Sequence, residues 1–290
     1  MQGTTSARAL ALTAMMIAFI VSCGSTAVAA AAGAAAAPAP KPAPKAAAPA
    51  TPKEAAQIDM TGHWVSIVTE DWIYRMLVAR KGDIGSIPVN AAGKKATGNW
   101  DPAKDAAAGE TCKAYGAAGI IRRPGRLNIT WADDRTLRID FDAGMKTRLL
   151  HFSEELPPTG YITSEPPVNF AVPNNIGAPS LEGYSVAAWH HQGQARGMGP
   201  MQEHYVPSHG GSLAAITGNL SPAYLQSNGV PYSSSTVLKE FFDLVEMPDG
   251  IQYLIVTSIV EDPVYLDQPW VTSTPFKREP DAKKWDPSGC

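Results

Sequence analysis

A short segment that begins at Glu70 brings two carboxylates, two aromatic rings and a guanidinium group close together. In a strand, Trp72 and Tyr74 would share one face, while Arg75 would lie on the other. An apolar wall would raise the pKa of Glu70 or Asp71 and make that carboxyl group a general acid or base, with Tyr74 as its hydrogen-bond partner and Arg75 positioning a substrate. The alternative is a surface turn in which Arg75 forms a salt bridge, since ion pairs also perturb carboxylates without catalysis.

Histidine side chains offer a second set of candidates. His151 has the parity of Met145 and Leu149 in a predicted strand, so it could point into the fold and transfer a proton; the alternative is a core or rim residue. A segment rich in Gly, Gln and Pro contains His190, His191, His204 and His209. Their spacing matches neither a zincin helix nor a zinc finger, so a surface loop is favoured over a metal site.

Aromatic side chains are the third kind of candidate. The rim of a pocket that stacks an aromatic ligand could be formed by Tyr224, Tyr232, Tyr265 and Trp270, and its walls by Trp64 and Trp72. Core packing is the alternative for all of them. The sequence has no Gly-x-Ser-x-Gly, P-loop or Gly-x-Gly-x-x-Gly motif, which argues against a serine hydrolase, an NTPase and a dinucleotide-dependent dehydrogenase. We expect no cofactor.

Composition divides the chain into unlike parts. Residues 1–57 contain 22 Ala, 6 Pro and one aromatic residue, and they carry a net charge of +3. Because the whole chain carries −3, residues 58–290 carry −6, and they hold 22 of the 23 aromatic residues. We predict an export signal at 1–22, an Ala- and Pro-rich tether at 23–57 and a folded domain at 58–290. A net −6 without a basic stripe makes nucleic acid an unexpected partner.

The amino terminus predicts export. Arg8 precedes a mainly apolar run of 13 residues, which is too short to span a bilayer. Cleavage could follow the small residues at 27–29 and release a secreted protein. It could instead precede Cys23, because residues 20–23 resemble the lipobox of bacterial lipoproteins, in which the cysteine is lipidated. A lipid-anchored protein would associate with a membrane in the periplasm or at the outer membrane.

Two further cysteines, Cys112 and Cys290, form an even pair in an exported and therefore oxidising setting. A disulfide between them would fasten the carboxyl terminus to the body of the domain. The alternatives are a catalytic thiol at Cys112 and a free terminal thiol at Cys290.

Period-two hydrophobicity over residues 58–290 predicts strands. The predicted strands cover 62–69, 72–80, 183–189, 212–218, 236–245, 251–260 and 271–278, with a three-stranded meander between 124 and 152 and a hairpin turn at 248–250. Cap-and-proline pairs predict short helices after Asp101 and after Ser221. Residues 157–182 read as a Pro-rich connection. These elements predict a mainly β fold, either a single antiparallel β-barrel or a sandwich with one or two short helices.

The start of the first strand, Gly62-His63-Trp64, resembles the Gly-x-Trp of lipocalins, whose tryptophan closes the base of a calycin-type barrel. Residues 58–290 also resemble a family of uncharacterised exported bacterial proteins, in the stretches 69–76, 112–121, 228–233 and 259–270. The resemblance implies a lipocalin-like barrel and no catalytic residue.

Three hypotheses for function follow. The first is an exported barrel that binds an apolar or aromatic small molecule in its interior, because a barrel of about eight or more strands can enclose a ligand. The second is a lyase, isomerase or hydratase without a cofactor, which uses the carboxylates near residue 70. The third is a non-catalytic envelope scaffold that reaches its partner through the tether.

Overall fold

The computed structural model describes residues 51–152, 172–173, 176–191 and 211–290, with backbone alone at 190, 191, 211 and 212. The chain divides into two units, Met1–Ala47 and Ala48–Cys290, and all described residues belong to the second. The predicted export signal, Cys23, most of the tether, His204, His209 and most of the Pro-rich connection lie outside the described residues.

Nine strands close into a barrel, which confirms the predicted fold class. Its strands are β1 (Gly62–Ser66), β2 (Arg126–Asp133), β3 (Thr136–Phe141), β4 (Lys146–Phe152), β5 (Tyr184–His191), β6 (Gly211–Gly218), β9 (Val237–Glu246), β10 (Gln252–Glu261) and β11 (Trp270–Glu279). They pair in the order β1-β11-β10-β9-β6-β5-β4-β3-β2 and back to β1. The short strands β7 (Ala223–Tyr224) and β8 (Pro231–Tyr232) form a separate ribbon.

One strand pair departs from the predicted antiparallel arrangement. Strands β4 and β5 run parallel, with Leu150 opposite Ser185, whereas the other barrel pairs are antiparallel. A parallel pair cannot be joined by a tight hairpin, and more than thirty residues separate β4 from β5. The predicted connection at 157–182 falls in this interval.

Alternation of side chains explains the barrel wall. Along β10, Leu254, Val256, Ser258 and Val260 are buried, and the residues between them are more exposed. The β9–β10 hairpin turns at Gly250, whose φ of +79° favours glycine. The predicted turn at 248–250 is therefore confirmed.

Helices cover one end of the barrel, and we call this the helical end. The connection from β1 to β2 contains α1 (Trp72–Met76), α2 (Ala91–Asn99), α3 (Pro102–Ala107), a 3₁₀ helix (Thr111–Tyr115) and α4 (Ala117–Ile120). The sequence predicts fewer helices than these. None of the helices in the described ranges is long and apolar enough to cross a membrane.

Two helix-or-strand predictions near this end are wrong. The segment predicted as a strand at 72–80 forms α1 and an irregular stretch, because the Nε of Arg75 donates to the carbonyl of Arg122, 2.9 Å away, and holds this turn against α4. The helix predicted after Ser221 is absent, and the chain forms β7 and β8 there. By contrast, α3 begins as predicted, since the Asp101 carboxylate accepts from the backbone N–H of Ala103.

The described residues form three buried apolar clusters, of which two are large. One lies within the barrel and includes Trp64, Phe242 and Phe276, all at most 1% exposed. The other lies under the helical end and includes Tyr232 and Trp270. The Trp64 indole N–H donates to the Met60 carbonyl at 2.9 Å, and this tryptophan is a core residue.

The carboxyl terminus is fastened back to the helical end. After β11 the chain passes Trp285, whose ring contacts that of His63, and the Ser288 N–H donates to the carbonyl of Asp142. Cys290 forms a disulfide with Cys112, 178 residues away in sequence, with 5.0 Å between their Cα atoms. The predicted disulfide is confirmed.

Candidate functional site

A pocket at the helical end has four aromatic side chains in its lining, and we call it the aromatic pocket. It is open to solvent and has a volume of about 320 Å³, at the small end of the range typical of ligand sites. Its aromatic side chains are Trp100, Tyr224, Tyr232 and Tyr265, supplied by the end of α2, by β7 and β8, and by the loop before β11. Side chains of both charges, including Asp101, Lys104, Asp105 and Lys113, complete the lining.

Glycine allows two of these rings to lie where they do. A Cβ at Gly229 would lie 2.0 Å from Cγ of Trp100, and the backbone there has φ of +80°. A Cβ at Gly116 would lie 2.1 Å from the Tyr232 hydroxyl oxygen. These approaches require glycine, so both rings are set by the backbone that they pack against.

Asp105 fixes the other side of the pocket. Its carboxylate accepts from the indole N–H of Trp100 at 3.0 Å and from the Tyr224 hydroxyl at 2.9 Å. Lys113 Nζ lies 3.5 Å from the same carboxylate and 5.6 Å from the centre of the Tyr224 ring. Trp100 and Tyr224 meet edge to face, with 6.4 Å between ring centres. The two rings are therefore held in place by their hydrogen bonds to Asp105 before any ligand binds.

The electrostatics of the pocket keep its phenols neutral. Burial, followed by the hydrogen bond to Asp105 and the charge of that carboxylate, raises the pKa of Tyr224 far above its usual value. Burial raises the pKa of Tyr232 as well. Burial alone would lower the pKa of Lys113, but Glu110 and Asp105 outweigh it and raise that pKa. The phenols of the pocket are therefore neutral at neutral pH, and its charged groups are those of Asp101, Asp105, Lys104 and Lys113.

Three of the six predicted ligand-binding aromatics meet in this pocket, namely Tyr224, Tyr232 and Tyr265. The others lie elsewhere. Trp64 is in the barrel core, Trp270 lines a different cleft beside Arg122, and Trp72 is 61% exposed on α1. The sequence reasoning missed Trp100, although its position directly before the helix cap at Asp101 marks it as the residue that joins α2 to α3.

The predicted acid–base residues do not converge on an apolar wall. Glu70 and Asp71 each form a 2.8 Å ion pair with Arg122, and their side chains are 46% and 28% exposed. Tyr74 donates to the surface residue Asp83, and this hydrogen bond raises the pKa of Tyr74. The predicted salt bridge to Arg75 is replaced by these pairs with Arg122.

The inward orientation suggested for His151 is not observed, and the residue lies at the partly buried outer side of β4. Its neighbours Leu150 and Phe152 are buried, whereas His151 is half-buried and stacks on Tyr184, with 4.7 Å between ring centres. In β4 the even-numbered side chains point into the barrel, so Leu149 and His151, at odd positions, lie on the outer face. Burial in this stack lowers the pKa of His151.

A buried ion pair in the barrel interior is absent from the sequence predictions. Arg148 Nη1 and Nη2 donate to the two carboxylate oxygens of Glu240, the former at 2.9 Å, and both side chains are at most 1% exposed. Nη2 also donates to Thr217 Oγ1 at 3.1 Å, and Thr217 exchanges a hydrogen bond with Ser185. The sequence contains a signal for this pair, because Arg148 is two residues from Leu150 and Glu240 is two residues from Leu238 and Phe242. Residues two apart in a strand share a face, so both charged residues lie on the buried face.

The described part of the chain contains no group of three or more His, Cys, Asp or Glu residues that could hold a metal ion. The backbones of His190 and His191 end β5, and His204 and His209 lie outside the described residues, so the histidine segment stays untested. Comparison of the chain with family models, with curated proteins and with solved structures finds no match.

Proposed function

We propose that this chain is an exported β-barrel protein that binds a small aromatic molecule in the aromatic pocket at the helical end. The observation that carries the proposal is the meeting of Trp100, Tyr224, Tyr232 and Tyr265 around about 320 Å³. Aromatic rings with a few fixed polar groups are the usual lining of a small-molecule site. The pocket is preorganised by glycine contacts and by Asp105, which lowers the entropic cost of binding.

The site differs from the interior site that the sequence suggests. Inside the barrel, the side chains of Trp64, Phe242 and Phe276 belong to one buried apolar cluster, and the Arg148–Glu240 pair is buried as well. Interior side chains of this kind act as a core rather than as the wall of a chamber. We therefore use the lipocalin resemblance only as an expectation for the barrel fold, and we propose that the ligand binds outside the barrel interior.

Polar groups suggest which aromatic ligands fit best. Asp105 and Lys113 are already paired with each other, and the two buried phenols are neutral. A ligand with one or two rings and a hydroxyl or amine substituent could stack on the rings and donate a hydrogen bond to the carboxylate of Asp105 or Asp101. A strongly charged ligand would have to break the existing pairs.

Export and anchoring belong to the same proposal. The disulfide between Cys112 and Cys290 fits an oxidising compartment, and the signal-like residues 1–22 supply the route. Lipidation at Cys23 would hold the barrel at a membrane through the Pro-rich tether. Intact-mass measurement of the mature protein distinguishes an acylated Cys23 from a terminus near residue 30.

A thermal-shift screen of aromatic metabolites tests the binding proposal. A ligand at 100 times its dissociation constant should add about 2.7 kcal/mol to the free energy of unfolding. Tyr265→Ala should remove the shift, because it opens the pocket without deleting a hydrogen bond to Asp105. Trp72→Ala is the matched control, since it truncates an exposed ring outside the pocket. Equal shifts in both variants, or no shift with any ligand, would contradict the proposal.

A further inference from the structure

Three arginines line a second, smaller cleft at the helical end, and we call it the arginine cleft. Arg75 comes from α1, and Arg122 and Arg123 directly follow α4. The loop at 225–227 and Trp270 form the opposite wall. The cleft has a volume of about 20 Å³, which is the room that about one bound water needs.

Arg75 is buried in the wall of this cleft without a counter-ion of its own. Its side chain is 6% exposed, and its Nε donates to the carbonyl of Arg122 at 2.9 Å. Its Nη1 and Nη2 atoms are buried and have no hydrogen-bond partner within the protein. Burial, followed by the charge of Arg122, lowers the pKa of Arg75 to about 10, so the group remains charged at neutral pH. A buried charged group with unsatisfied donors is costly, and native folds rarely keep one without use.

The carboxylates of Glu70 and Asp71, whose charges act on Arg75, are paired with Arg122. Arg122 directs its two Nη atoms to Glu70 and Asp71, at 2.8 Å each, and its guanidinium lies 5.3 Å from the Trp270 ring. Arg123 donates to a backbone carbonyl and lies over the Tyr115 ring. Three guanidinium groups against two carboxylates leave one positive charge in excess.

Neutral donors also face the cleft. The side-chain amide of Gln226 lines it, and its Oε1 atom is buried and has no partner. An amide can be turned so that its nitrogen takes the place of that oxygen. Ser227 contributes a hydroxyl group. With the fork of Arg75, these groups offer four N–H and O–H donors to an anion in the cleft.

We propose that the arginine cleft binds a phosphate group, held by Nη1 and Nη2 of Arg75 and by the side chains of Gln226 and Ser227. The planar guanidinium fork matches two oxygens of a phosphate, and a charge-assisted pair of this kind is stronger than a neutral hydrogen bond. The bound group neutralises the excess positive charge and satisfies the two buried donors of Arg75.

The surroundings indicate two sources for this phosphate group. Beside Arg75, α1 and the residues after it expose large apolar side chains: Trp72, Ile73, Met76, Leu77 and Val78. Apolar clusters of this kind mark contact with other molecules, and apolar and aromatic side chains beside cationic ones are typical of proteins that lie on a membrane. The group is therefore the head group of a phospholipid or a free phosphate, and both share the same chemistry at the cleft.

The test measures Tm of the full chain with inorganic phosphate, at ionic strength matched by sodium chloride. At ten times the dissociation constant, the wild-type Tm should rise by about 3 °C. Arg75→Met should abolish the rise, and Arg75→Lys, which keeps the charge but not the fork, should reduce it. Arg80→Met is the control, because it removes an exposed charge outside the cleft.

A second arm distinguishes the two sources. The same proteins are sedimented with phosphatidylglycerol vesicles and with phosphatidylcholine vesicles. Loss of vesicle binding in Arg75→Met but not in Arg80→Met assigns the cleft to a lipid head group, whereas a phosphate-dependent Tm rise without vesicle binding assigns it to free phosphate. If wild type, Arg75→Met and Arg80→Met behave alike in both arms, the cleft is not a phosphate site and the proposal is overturned.

Discussion

Glu240→Ala tests whether the barrel interior is a structural core. The substitution would leave the guanidinium of Arg148 buried at 1% exposure, with Thr217 and Ser185 as its remaining neighbours. Removing one partner of a buried ion pair costs about 3–5 kcal/mol, which lowers the folding equilibrium constant by two to more than three orders of magnitude. The Arg148→Met/Glu240→Leu double variant should lie within about 1 kcal/mol of wild type or above it, since both charges are then gone.

Urea unfolding of Glu240→Ala and of the double variant measures the two costs relative to wild type. The control is the Arg138–Asp140 pair on the outer face of β3, whose arginine side chain is 47% exposed. Arg138→Met should cost at most about 1 kcal/mol, because an exposed pair contributes little. The double variant should also keep the thermal shift with aromatic ligands. A Glu240→Ala cost as small as that of Arg138→Met, or loss of ligand binding in the double variant, would refute the view that the interior is a core.

Three further predictions concern the aromatic pocket and its supports. Gly229→Ala should displace Trp100, abolish ligand binding and lower the free energy of unfolding by more than Gly250→Ala does; Gly250 has the same sign of φ but no atom within 4 Å, so equal costs would show that backbone strain alone is at work. Cys112→Ser should cost about 2–5 kcal/mol in urea unfolding, and dithiothreitol should lower Tm in wild type only; a reductant effect on the variant would contradict a role of the disulfide. Burial alone would raise the pKa of Asp262, but hydrogen bonds from the Ser233 N–H and its neighbours outweigh burial and lower that pKa, so the stabilisation by Asp262 is present above the ordinary pKa of about 3.9 and is lost as pH falls through the lower folded value. Asp262→Asn should reduce the loss of stability that wild type shows at acid pH, and an unchanged loss would be the contrary result.

The barrel strands were predictable because each is half-buried along its length. In β2 and β3, the apolar residues at 127, 129 and 131 and at 137, 139 and 141 alternate with polar ones, and that period predicts a half-buried strand. The segment at 72–80 misled because α1 is only five residues long, and its helical turn depends on the bond from Arg75 to the Arg122 carbonyl, 47 residues later. A local pattern contains no information about such a distant contact.

The sequence predicts that aromatic residues line a pocket, but it does not predict all of the residues that do so. Tyr224, Tyr232 and Tyr265 stand out as aromatics in Pro- and Gly-containing loops. Trp100 joins them because its ring packs on Gly229, more than a hundred residues away, and no sequence spacing indicates that approach. The burial of Arg148 and Glu240 could have been predicted, because both residues share a strand face with buried apolar residues. Charged residues are mostly exposed, however, and such residues are normally assigned to the surface.

Crystallographic binding of 4-iodophenol tests the central claim most directly, because the iodine atom locates the ligand by its anomalous signal. The fragment carries one ring and one hydroxyl group, which match the rings and the Asp105 carboxylate of the aromatic pocket. We predict an iodine peak among Trp100, Tyr224 and Tyr265 that disappears in Tyr265→Ala. A peak inside the barrel beside Phe242, or an empty aromatic pocket at saturating fragment, would contradict the proposal.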